Sequence, residues 1–351
     1  MRLYFLINMT DTKTHIIDRT FTTESGFTFP KLELNWKSWG TLNEQKNNVV
    51  VICHALTGNA AADDWFSGVF ASGSPIDLSQ YYVICINAIG SCYGSTGPWS
   101  TNSETGAPYK NTFPEVTIRD IVRSQQLLLD ELGITGIELV IGASMGGMTA
   151  LEFAIMDPRV RAASVIAMGK CHSPWAIGIS HAQRSAIYAD AKWNNGDYER
   201  DDPPAKGLAA ARMMAMITYR TAYDYEKKFG RNVNQEKGLY QVESYLNYQG
   251  SKIVDRFDAY TYDRLSKAMD SHDVSRGRGT FEEALGGLNK PIQVIGITSD
   301  RLYPIYEQRE LAQLLPNSEY AEIESDYGHD AFLIEFEQLN TLLTPFIQKH
   351  R

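Results

Sequence analysis

Two hydrophobic patterns alternate along the first half of the chain. Continuous apolar runs occur at residues 49–53, 81–86, 139–141 and 162–168, as in Val49-Val-Val-Ile-Cys53. Runs without alternation predict strands covered on both faces. Helical stripes lie between them. One opens at Pro114, carries Ile118, Ile121, Val122, Leu128, Leu129 and Leu132 on one face, and stops at Gly133. Another carries Met148, Leu151 and Ile155 and stops at Asp157-Pro158. Strand alternating with helix predicts a parallel sheet with crossovers. Before it, residues 15–39 alternate loosely and predict an antiparallel hairpin with Gly26 in its turn and Leu32–Trp39 as its second strand.

The alternation stops near Gly169 and resumes after Gly287. Between them no strand-like run is visible, only helix-like stretches at 180–191, 205–221, 242–248 and 257–269. A buried strand then returns at 291–297, followed by a last strand at 320–323 and a C-terminal helix at 339–347. The pattern predicts one α/β core, residues 1–169 and 288–351, interrupted by a helical lid insertion at 170–287.

Composition narrows the possibilities. The net charge of −9 and sequence pI near 5.4, with no basic cluster, argue against nucleic-acid binding. Cys53, Cys85, Cys92 and Cys171 form no C-x-x-C pair and are sparse for 351 residues, as expected of free thiols in a reducing compartment. The run Leu3–Ile7 is too short for a signal-peptide core, and no apolar stretch approaches membrane-spanning length. A cytoplasmic protein with no membrane contact is expected.

The candidate chemistry starts at Gly142-Ala-Ser-Met-Gly146, a G-x-S-x-G pattern with a strand before it and a helix after it. That context is a nucleophile elbow, in which small residues flank a serine forced onto the tip of a tight turn. A serine nucleophile needs a base, and the base an orienting acid. In α/β-hydrolases these follow in the order Ser, acid, His, each just past a strand end. Of seven histidines only His329 lies just after the last strand; Asp300 follows the strand before it. Ser144, Asp300 and His329 are therefore the expected catalytic residues, on an α/β-hydrolase fold with a mostly parallel sheet and flanking helices. The oxyanion donors expected are the amides of Met145 and Leu56, the latter in the turn His54-Ala-Leu-Thr-Gly58. His54 is expected to be structural, because His329 fills the base position. No metal signature, P-loop or dinucleotide fingerprint is present.

Several stretches together resemble the homoserine O-acetyltransferase family, an acyltransferase branch of that fold. They include Cys53-His-Ala-Leu-Thr-Gly58, Gly90-Ser-Cys-Tyr-Gly-Ser-Thr-Gly-Pro98, Val116-Thr-Ile-Arg-Asp120, Ser144-Met-Gly-Gly-Met148, Ala210-Ala-Arg-Met213, Gln241-Val-Glu-Ser-Tyr-Leu246 and Tyr327-Gly-His-Asp-Ala-Phe332. The resemblance implies acetyl transfer from acetyl-CoA, a co-substrate rather than a bound cofactor, through an acetyl-serine to the side-chain hydroxyl of L-homoserine, for methionine biosynthesis. It implies Arg212 on the homoserine carboxylate, Asp330 near its amino group, Thr57 in the same pocket, and a homodimer with paired lids. Arg212 is also the only charge between Leu208 and Ile217, so a largely buried helix would hold a guanidinium in need of an anion. Tyr219, seven residues on, shares its face. The sequence departs from the family at Ala143, commonly glycine, and at Met216, often histidine. A succinyl donor, a serine acceptor, or water as acceptor in a serine ester hydrolase are the alternatives, since a serine pocket differs from a homoserine pocket by one methylene.

Overall fold

A computed structural model describes residues 11–70 and 73–351; the Leu3–Ile7 run lies outside them. Eight strands form the central sheet: β1 (Lys13–Ile17), β2 (Leu32–Trp39), β3 (Val49–Cys53), β4 (Tyr82–Ile86), β5 (Ile137–Ala143), β6 (Val160–Ile166), β7 (Ile292–Ile297) and β8 (Ser318–Ile323). Their spatial order is β1-β2-β4-β3-β5-β6-β7-β8. β1 and β2 pair antiparallel, as do β2 and β4; every pairing from β4 to β8 is parallel. The unbroken apolar runs are explained by this burial. In β3, Val49, Val51 and Cys53 pack into the layer on one face and Val50 and Ile52 into the layer on the other.

The core helices are α1 (Ile118–Glu131), α2 (Met145–Met156), α9 (Ile305–Leu314) and α10 (Phe336–Lys349). Residues Met145 to Ala154 of α2 are all buried. Helix α1 starts at Ile118, not at Pro114. Thr117 accepts the Asp120 amide while Asp120 accepts the Thr117 amide, a capping box that sets the helix start four residues after the proline. The expected simple hairpin over residues 15–39 is also different. β1 pairs with β2, and Gly26, at φ 87°, turns a separate two-stranded ribbon between Phe21–Thr22 and Thr28–Phe29.

The intervening chain folds into α3 (Pro174–Tyr188), α4 (Ala205–Tyr219), α5 (Ala222–Phe229), α6 (Gln241–Val254), α7 (Ala259–Asp270) and α8 (Phe281–Gly286). α3 begins six residues earlier than the apolar stripe suggests, because Ser173 caps it and Pro174 occupies its first turn. This region is not strand-free: Val233–Asn234 and Leu239–Tyr240 form a short antiparallel ribbon. Its return to the core is clamped by the buried Glu152 of α2, which holds Arg278 at 2.6 Å and Arg119 of α1 at 3.2 Å. The four cysteines are unpaired. No helix among the described residues is long and apolar enough to cross a membrane.

Candidate active site

The C-terminal ends of β3, β5, β7 and β8 deliver the four parts of the site, as parallel α/β sheets do. β5 runs straight into α2 through Ser144, which adopts φ 56° and ψ −125°. A non-glycine residue there is strained, and such strain persists only where the surroundings impose it. Here they do. A Cβ at Gly146 would stand 2.8 Å from the Cys53 carbonyl carbon and 3.1 Å from the His54 carbonyl oxygen; one at Gly142 would stand 3.0 Å from Cys53 Cβ. The two glycines let α2 and β5 press against the end of β3. The Ser144 amide donates to the Ile166 carbonyl at 3.0 Å, and its carbonyl accepts from Met148 at 3.0 Å to begin the helix. The Met145 amide therefore lies at the positive end of α2.

Asp300 and His329 meet across the ends of β7 and β8. The Nδ1 nitrogen of His329 lies 2.7 Å from Asp300 Oδ2, and the other carboxylate oxygen accepts the amides of Leu302 at 2.8 Å and Tyr303 at 3.0 Å. Both residues are buried. Asp300 does not cap the following helix, whose N-cap is Pro304. With Nδ1–H donated to the carboxylate, Nε2 carries the free lone pair. Burial acts to lower the His329 pKa, but the charge and hydrogen bond of Asp300, with the charge of Asp330, outweigh it and hold the pKa above the ordinary value. Gly328, at φ 69°, makes the sharp turn before the imidazole. Tyr219, Tyr303 and Phe332 surround the ring with centroids 5.3–5.6 Å away.

The turn after β3 is pinned from both sides. His54 donates from Nδ1 to the Ala55 carbonyl at 2.9 Å, and its Nε2 accepts the Ala88 amide at 3.0 Å. Both ring nitrogens are occupied and burial lowers the pKa, so His54 is a neutral structural residue, as expected. Leu56 is buried beside Thr57. Arg256, at the end of α6, donates to the Thr57 carbonyl at 2.7 Å and approaches its hydroxyl at 3.4 Å. The sequence offered no signal for this residue, which ties the turn to the insertion and also contacts the Tyr93 hydroxyl at 3.2 Å.

α4 carries Arg212 and Tyr219 toward the same space. The guanidinium sits 5.8 Å from the Tyr219 ring centroid. The anion expected for it is missing: no carboxylate among the described residues forms an ion pair with Arg212. Its neighbour Arg220 is paired, with Asp224 at 2.9 Å and Asp330 at 3.7 Å. Burial pushes the Asp330 carboxyl above its usual range, with His329, Arg212 and Arg220 pulling it back. Met216, one turn after Arg212, is buried, and its carbonyl accepts the Tyr225 hydroxyl at 2.9 Å. The site thus combines a buried serine at the tip of a strained turn, a carboxylate-oriented imidazole, helix-start amides and an unpaired guanidinium near a carboxylate.

A family model described as the alpha/beta hydrolase fold matches residues 48–336. The homoserine O-acetyltransferase of Chlorobium chlorochromatii (strain CaD3) is 53% identical over 333 residues, covering 94% of this chain and 93% of that protein. The chain belongs to the homoserine O-acetyltransferase family. Among solved structures, the family member from Bacillus anthracis superposes with a TM-score of 0.88 at 28% identity, covering 97% and 98% of the two chains. An acetylester hydrolase from Corynebacterium glutamicum gives the same TM-score at 26% identity, covering 98% of each. The fold alone therefore serves both transferase and esterase chemistry in relatives of this family.

Proposed function

We propose that the protein transfers an acetyl group from acetyl-CoA to the side-chain hydroxyl of L-homoserine, through an acetyl-enzyme on Ser144. Ser144 Oγ attacks the thioester carbonyl carbon while His329 Nε2 takes the hydroxyl proton, with Asp300 orienting the imidazole. The amides of Leu56 and Met145 donate to the carbonyl oxygen as it becomes an oxyanion. The C–S bond breaks, the thiolate receives the proton from His329, and CoA leaves. Homoserine then attacks the acetyl carbon, His329 again takes the proton, and Ser144 Oγ recovers it as the ester departs. The product is O-acetyl-L-homoserine, and no bound cofactor enters the cycle.

The observation that carries this reading is the unpaired Arg212 guanidinium facing a site that also holds Asp330. Together they match the carboxylate and ammonium of an amino acid, which water as acceptor would not need. Tyr219 and Thr57 line the same pocket in this reading. Water exclusion falls to the insertion at 170–287, acting as a lid. A cytoplasmic homodimer completes the proposal. It is supported by the unpaired cysteines and by Ile217, Tyr223, Tyr240 and Tyr248, all large, apolar and exposed on the insertion.

The likeness to an acetylester hydrolase supports hydrolysis as the rival reading. The test follows thiol release from acetyl-CoA and from succinyl-CoA with homoserine, with serine and with water alone. Sustained turnover only with acetyl-CoA and homoserine is expected, with no more than one equivalent of thiol released when no acceptor is present; equal turnover with water would move the assignment to hydrolase. Ser144→Ala is expected to fold and to release no thiol, and a variant that kept its activity would remove the acetyl-serine.

A further inference from the structure

Tyr303 has no part in the cycle above, yet it occupies the centre of the site. It is fully buried three residues after Asp300, and its amide donates to Asp300 Oδ1 at 3.0 Å. Its ring packs on His329 with centroids 5.3 Å apart, and on His172 at 5.7 Å. Its hydroxyl is shut off from solvent and meets no partner in good hydrogen-bonding geometry. Burial drives the phenol pKa well up, and the Ser144 hydroxyl is close enough to pull against that rise. The phenol thus keeps its proton at any working pH. A buried donor without a partner is costly, and native proteins rarely retain one without a use. Phenylalanine would fill the same space without that cost.

We propose that the Tyr303 hydroxyl is a catalytic hydrogen-bond donor to Ser144 Oγ, acting mainly when that oxygen leaves the acetyl carbon in the second half-reaction. The inference rests on Ser144 as the acetyl carrier. In the first half-reaction Oγ attacks, and the thiolate that departs is a good leaving group. In the second, the homoserine oxygen has bonded to the acetyl carbon and the C–Oγ bond must break. Negative charge then gathers on Oγ until His329 delivers its proton there. Tyr303 donates a hydrogen bond to that charge and keeps its own proton, so the step balances as before. Charge on Oγ is greatest while it departs as an alkoxide, so the donor acts most strongly there; attack on the thioester starts from a neutral hydroxyl whose proton His329 removes.

Tyr303→Phe keeps the ring and is expected to match the native protein in thermal unfolding. Rapid-mixing thiol release from acetyl-CoA without acceptor reads formation of the acetyl-enzyme. Intact-mass decay of that species after homoserine is added reads its consumption. The expected result is native formation and about tenfold slower consumption, the loss of one hydrogen bond to a charge-bearing atom. Native rates for both steps, or formation slowed as much as consumption, would overturn the role. Failure of the native protein to acquire an acetyl group, or an acetyl group that Ser144→Ala still acquires, would instead show that the carrier itself is wrong.

Discussion

Gly146→Ala tests the elbow at its tightest point. The added methyl would collide with the Cys53 carbonyl oxygen and stand 3.1 Å from the His54 carbonyl oxygen, against an ordinary contact of at least 3.4 Å. Both neighbours are backbone, so no side chain can rotate away. Helix α2 must retreat from the end of β3 by roughly 1 Å to restore contact distance. Overpacking of this kind costs about 3 kcal/mol. The chemical effect should be larger than the loss of stability implies. The same retreat separates the Met145 amide from the Leu56 turn, and a misplacement of about 1 Å costs on the order of 10²-fold in rate. Gly178→Ala is the control. It lies inside α3 with nothing within 4 Å of the added methyl, so it should gain about 0.5–1 kcal/mol and leave activity unchanged. The assay pairs thermal unfolding with acetyl-CoA thiol release for both variants. A Gly146→Ala protein with native unfolding temperature and native rate would refute the close approach of α2 to β3 as the reason for glycine there.

Two further outcomes are expected. Arg212→Ala should leave acetyl-enzyme formation intact while its consumption by homoserine falls about 10²-fold, since charge-assisted hydrogen bonds contribute about 1.5–3 kcal/mol each; equal damage to both steps would remove its carboxylate role. Acetyl-enzyme formation should also fall as pH drops, because His329 accepts a proton only when neutral and the charge of Asp300 favours its protonated form. The limb should therefore lie above the ordinary imidazole value of 6.5, and a pH–rate profile with its limb below that value would contradict the pairing.

Much of the scaffold was legible because strand and helix periods are local. Each buried run of the parallel sheet announced itself, and Ser144, Asp300 and His329 could be found from their order relative to strand ends. The errors were local competitions. Pro114 looks like a helix start, but the reciprocal bonds of Thr117 and Asp120 outbid it. What could not be read were contacts between distant segments. Tyr303 stands in Leu-Tyr-Pro, indistinguishable from core, until the fold brings its hydroxyl to Ser144. Arg256 joins Thr57 across 199 residues. Arg212 is the informative intermediate case: its isolation on an apolar helix is visible, but only the structure reveals that Arg220, eight residues on, pairs with Asp224 and Asp330 while no carboxylate among the described residues forms an ion pair with Arg212.

The pairing of β6 with β7 carries a consequence for how the chain reaches its native state. Ser164 and Gln293 touch at 3.1 Å although 129 residues separate them. Closing that loop costs roughly 1.6 kcal/mol more chain entropy than a crossover of about 20 residues, and long-range parallel pairing is slow to form. An insertion that folds on its own would bring the ends of that loop together and offset this cost. During synthesis, the segment bearing Ser144 and the β3 turn leaves the ribosome long before Asp300 and His329. A half-made chain carries Ser144 without the imidazole and carboxylate that meet it in the finished fold. The proposed site is therefore complete only when the last two strands, which position Asp300 and His329, have joined the sheet.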